Sequence, residues 1–104
     1  MSTPTDNRRD LVTVIARMRA KPGKEQELRQ ALEALVEPTL KEQGCVNYDM
    51  HQGQDEAEFG FYENWESDEA LDAHLNSPHL TQFAGRLDEL LDGKLDIQRM
   101  RRVG

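Results

Sequence analysis

Within the first fifty-odd residues the spacing of apolar side chains switches from a strand's period to one of 3.6, then to a period of two. This switching limits the possible folds more than any other feature of the chain. Leu11–Arg19 (LVTVIARMR) is rich in β-branched residues and short enough for a strand, which it predicts. After the turn signal Lys21-Pro22-Gly23, Leu28, Ala31, Leu32, Leu35 and Val36 fall at i, i+3, i+4, i+7 and i+8, one stripe of a helix. Pro38 should kink or thin that helix near its end, and Gly44 is placed to stop it. In Cys45–Gln52 (CVNYDMHQ) the alternation returns, with Val46, Tyr48 and Met50 on one face. Gly53-Gln54-Asp55-Glu56 reads as a hairpin connection. It leads to Glu58–Trp65 (EFGFYENW), a strand holding four of the chain's six aromatic residues. Ser67 is a predicted helix N-cap, and Ser77-Pro78 a second one with proline at the first helical position. Leu80, Phe83, Ala84, Leu87, Leu90 and Leu91 predict one further helix stopped by Gly93. Lys94–Val103 then closes the chain as a strand, with Leu95 and Ile97 on one face.

The order is β-α-β-β-α(α)-β. It predicts an α+β fold of the ferredoxin-like, split βαβ type, an antiparallel sheet with helices on one face. Residues 10–104 are expected to form this domain, and the polar stretch 1–9 a disordered N-terminal tail. A sheet covered on one side should alternate apolar and polar. The first strand instead offers Val12, Val14, Ala16 and Met18 to one face and Leu11 and Ile15 to the other. The third offers Phe59, Phe61 and Trp65 to one face and Tyr62 to the other. A second copy packed on the open face, a homodimer, is the expected solution.

Thirteen basic and twenty acidic residues give a net charge of −7. That surface repels phosphates and anionic lipid, so neither nucleic acid nor membrane is an expected partner. The longest apolar run is too short to span a bilayer, and the first ten residues carry no apolar signal segment. With Cys45 the single cysteine, no internal disulfide is possible, and a cytoplasmic location is expected.

Gly44-Cys45-x-x-Tyr48, Glu63-x-Trp65 running into Ser67-x-x-Ala70-Leu71-x-x-His74, and Ser77 followed by Phe83 together resemble the antibiotic biosynthesis monooxygenase family. The resemblance spans about residues 11–103. It implies a dimeric α+β barrel, in line with the two-faced strands. It also implies oxygenase chemistry on quinols, anthrones and related polyphenols without metal or flavin, although some relatives degrade haem or process small signalling molecules.

His74 falls on the inward face of its short helix with Ala70, Leu71 and Leu75. It is either a satisfied structural histidine or an acid–base group able to take a phenolic proton. Trp65 is a core aromatic or a wall of a slot for a planar substrate, and both hold if the pocket lies between sheet and helices. Phe59, Phe61 and Phe83 would complete that slot, with Tyr48 orienting an oxygen. Asn64 is carried over from the resemblance as a substrate contact, which requires a bulge, because it alternates away from Trp65. Glu63 needs a partner, which Arg17 or Arg99 can supply. Cys45 has no basic neighbour to activate it. Three histidines do not read as a metal site: His79 follows His74 at i+5 across Ser77-Pro78, off one helical face, and His51 is alone on a strand. No nucleotide-binding or serine-triad motif is present.

The expected function is a cofactor-independent monooxygenase that oxidises a small electron-rich aromatic, quinol-like substrate with O₂, with His74 and Asn64 catalytic. The alternatives are a non-catalytic dimeric module binding a small molecule, or a haem-degrading relative; the first strand lacks the asparagine that the resemblance associates with haem.

Overall fold

A computed structural model describes residues 10–104; the expected tail 1–9 lies outside the described residues. The elements are β1 (Val12–Arg19), α1 (Glu25–Leu40), β2 (Cys45–Gln52), β3 (Glu58–Trp65), α2 (Asp68–Leu75), α3 (Pro78–Ala84), α4 (Leu87–Leu90) and β4 (Asp96–Met100). The strands form one antiparallel sheet in the order β2-β3-β1-β4, the ferredoxin-like arrangement.

One face of the sheet carries the core. Val14, Ala16 and Met18 of β1 and Phe59, Phe61 and Trp65 of β3 point to it, and Leu28, Leu32 and Leu35 of α1 close over it. Each large side chain buried there contributes roughly 1.5–3 kcal/mol. Both predicted caps form: Ser67 Oγ accepts from the Ala70 N–H at 3.1 Å, and Ser77 Oγ from the Leu80 N–H at 3.4 Å.

Pro38 lies inside the last turn of α1, where Lys41 and Glu42 donate to the carbonyls of Pro38 and Thr39 in tightened i→i+3 bonds. The helix ends there, and four local expectations are corrected. Gly44 therefore does not stop the helix but shapes the turn into β2. Its φ is +86°, and an added Cβ would lie 2.5 Å from the Cβ of Ala70. In β2 a bulge separates Cys45, opposite Trp65, from Asn47, opposite Asn64. Val46 is the extra residue; it leaves the Tyr48–Met50 face and is half exposed. The single long C-terminal helix is two short ones, broken at Gly85-Arg86, and the last strand is shorter than expected, with Leu95 before it.

The opposite face of the sheet is mixed. Ile15, Tyr62 and Met100 are substantially exposed there. Beside them a polar ladder crosses three strands: Thr13 Oγ1 donates to Asn64 Oδ1 at 2.6 Å, and Asn64 Nδ2 to Asn47 Oδ1 at 2.9 Å. No helix is long and apolar enough to cross a membrane among the described residues.

Candidate active site

Helices α2 and α3 do not seal completely onto the sheet. Between them lies a narrow cavity of ≈ 50 Å³, well below the ~300–1,000 Å³ of ligand pockets, so a ring-sized ligand enters only as the lining side chains move apart. Its walls are apolar: Val14, Ala16 and Met18 below, Leu71, Leu80 and Phe83 above. Polarity is confined to Tyr48, Glu63 and His74 inside, with Arg99 among the lining groups.

His74 reaches this gap because the Ser67 cap starts α2 in the right phase, turning Leu71 and His74 inward together. The imidazole is 2% exposed and lies against the Trp65 indole, ring centroids 4.5 Å apart, with Tyr48 meeting its edge at 5.3 Å. Its Nδ1 is 2.7 Å from Glu42 Oε2, and His79 Nε2 approaches the same oxygen at 2.7 Å. Burial holds the His74 pKa below its ordinary 6.5, against the pull of Glu42 in the other direction. At neutral pH the ring is therefore uncharged. Because a carboxylate only accepts, the proton sits on Nδ1 and the Nε2 lone pair is left free.

Glu63 is 4% exposed, and its partner is neither arginine the sequence suggested. Trp65 Nε1 donates to Glu63 Oε1 at 3.0 Å. Arg17 lies across the sheet with Glu58, and Arg99 is held by Asp68 and Asp72 of α2. Burial pushes the Glu63 carboxyl up to about 7, with the indole bond opposing and Glu42 adding to the rise. Burial, with Glu63 nearby, also raises the Tyr48 phenol. Cys45 is pushed up to about 11 by burial and by the Glu42, Glu63 and Asp49 carboxylates, so its thiol stays protonated.

Of the residues singled out in the sequence, His74, Tyr48, Phe61 and Phe83 meet at the gap. Trp65 and Phe59 do not line it. Trp65 is fully buried behind His74, and Phe59 sits further along β3 in the core. Asn64 is on the other side of the sheet, in a hollow with Thr13, Tyr62 and Met100. The bulge that would have turned it inward belongs to β2, so β3 alternates without interruption. Glu42, Glu63 and His79 were missed as members of the site. The i+5 argument against pairing His74 with His79 assumed one helix. The Ser77-Pro78 break redirects the chain, and Glu42 bridges the two rings. His51 is not in the group; its ring contacts the Asp49 carbonyl. Two imidazoles and a carboxylate are also a donor set able to hold a metal ion.

Comparison with known proteins finds relatives of the whole chain. Residues 11–86 match the family model described as "Antibiotic biosynthesis monooxygenase". The chain is 39% identical over 80 residues to "Putative monooxygenase Rv0793" of Mycobacterium tuberculosis, covering 77% of this chain and 79% of that protein. It is 33% identical over 87 residues to "Probable quinol monooxygenase YgiN" of Escherichia coli, covering 71% and 82%. Among solved structures, PA3566 of Pseudomonas aeruginosa superposes with a TM-score of 0.86 at 35% identity, over 91% of this chain and 96% of that one.

Proposed function

This chain belongs to the antibiotic biosynthesis monooxygenase family, and on that premise we propose that its gap binds a small quinol and oxidises it with O₂, His74 acting as the base. The observation that carries the reading is the state of His74. A buried, neutral imidazole is fixed by Glu42 through Nδ1, and its free Nε2 belongs to a residue lining a largely apolar cavity.

A quinol needs little from the protein beyond binding and proton removal, because its anion is itself the reductant. For a 1,4-hydroquinone, one atom of O₂ replaces a ring hydrogen as hydroxyl and the other leaves as water. The ring ends as a hydroxyquinone, and all four electrons come from the quinol. His74 takes the phenolic proton at Nε2, and Glu42 stabilises the imidazolium that forms. Phe61 and Phe83 supply flat apolar walls, and Tyr48 a hydroxyl to meet a substrate oxygen. The largely apolar walls exclude water from the anion.

The test is oxygen uptake with a panel of hydroquinones, followed by ¹⁸O₂ labelling. One heavy oxygen per oxidised product supports the proposal. Saturable binding of quinols with no oxygen uptake replaces it with a binding module.

A further inference from the structure

Glu42 lies in the turn after α1 with its side chain only 16% exposed. A carboxylate withdrawn that far from water needs a cation beside it or a full set of donors. Among the described residues no lysine or arginine pairs with it. Its partners among those residues are the His74 and His79 rings, each with a nitrogen 2.7 Å from Glu42 Oε2. Among the described residues the carboxylate is thus left without a cationic side chain.

Three donor atoms, one each from Glu42, His74 and His79, lie within 4.8 Å of one another. They come from three different segments: the turn after α1, α2 and α3. Ser77 Oγ donates to the His74 carbonyl at 2.6 Å while capping α3, and the Trp65 indole packs against the His74 ring, tilted by 33°. Two imidazoles and one carboxylate suit zinc-like ions, whereas magnesium and calcium prefer oxygen alone. The present 2.7 Å N···O separations must open to about 3.3 Å, the edge of a tetrahedron with ~2.0 Å bonds, which side-chain rotation can supply.

We propose that Glu42, His74 and His79 form a binding site for one divalent transition cation of the zinc class. Each imidazole exchanges an N–H donated to Glu42 for a lone pair donated to the metal, and moves its proton to the other ring nitrogen. No proton is lost in that tautomeric change. Bound through Nδ1, His74 carries its proton on Nε2 and accepts no other. The cation is therefore an inhibitor rather than a cofactor of the oxidation, a consequence that rests on the proposed function whereas the binding does not.

The test is calorimetric titration of the chelator-stripped full chain with Zn²⁺, paired with the visible absorption of the Co²⁺ form. One ion per chain is expected, with a cobalt spectrum of low-coordinate nitrogen and oxygen ligation. His79→Ala and Glu42→Gln should each weaken binding at least ~10-fold, a loss seen even for groups one step removed from a metal. Circular dichroism confirms that the variants are folded, and His79, half-buried on α3, should be removable without unfolding the chain. Absence of saturable binding, or binding unchanged in both folded variants, overturns the proposal. Neither readout uses turnover, so failure of the oxidation leaves this site standing, and the reverse.

Discussion

Trp65 donates its indole N–H to Glu63 Oε1 at 3.0 Å, and the two side chains share the inner face of β3. One hydrogen bond to a carboxyl only 4% exposed does not replace its hydration. The group therefore holds its proton in the folded chain up to about 7, against an ordinary 4.5.

That shift makes stability depend on pH in a definite direction. Below about pH 4.5 Glu63 is neutral in both folded and unfolded chains. Between 4.5 and 7 the unfolded chain releases the proton while the folded chain keeps it, so stability falls as pH rises. The loss is on the order of 3 kcal/mol at ~1.4 kcal/mol per pKa unit. Glu63→Gln keeps an acceptor for Trp65 and removes the titration. Urea unfolding at pH 4.5 and pH 8 should show the variant gaining on the parent by about that amount. Parallel behaviour of the two proteins would contradict the assignment.

Gly44 is constrained twice, by its positive φ and by the approach of Ala70. Gly44→Ala should cost about 1–3 kcal/mol from the backbone alone, more with the contact, and loosen the turn carrying Glu42. Chemical denaturation measures it; a change under 0.5 kcal/mol would show that the turn adjusts freely.

The exposed side chains of Ile15, Tyr62 and Met100 on the open sheet face support a homodimer with the two sheets facing each other. Such an interface should bury more than ~1,000 Å². Light scattering at low micromolar concentration should give twice 11.9 kDa, and Tyr62→Lys should shift the mass toward a monomer. A parent protein that scatters as a folded monomer contradicts this.

Much of the fold could be read from period and punctuation. The strand at Glu58–Trp65, the Ser67 and Ser77 caps and the stripe of α1 all appear as expected. The misses share a physical cause: they depend on partners. Val46 alternates correctly in one dimension, but the bulge arises only from pairing β2 with β3. Asn64 follows its own strand's alternation, and what holds it is a ladder from Thr13 to Asn47. Glu42 reads as one more acid in a polar turn, and 32 positions separate it from His74. The Ser77-Pro78 cap did carry a signal: a new helix begins there, so spacing rules for a single helix do not extend from His74 to His79.

If the substrate supplies all the electrons, turnover should require no added metal or flavin. Dialysis against a chelator is expected to leave the rate of quinol oxidation unchanged or raise it by emptying the Glu42–His74–His79 site. A rate lost on chelation and restored by a metal would show that the metal takes part in the chemistry.

The most direct test of the central claim is the rate of oxygen uptake with an accepted hydroquinone, compared between the parent chain and His74→Ala. With His74 as the base, the variant should lose ~10²-fold or more in turnover. Its quinol affinity should stay within a few-fold, because a base acts mainly in the transition state. Full turnover in His74→Ala would contradict the account and leave that imidazole a packing group against Trp65.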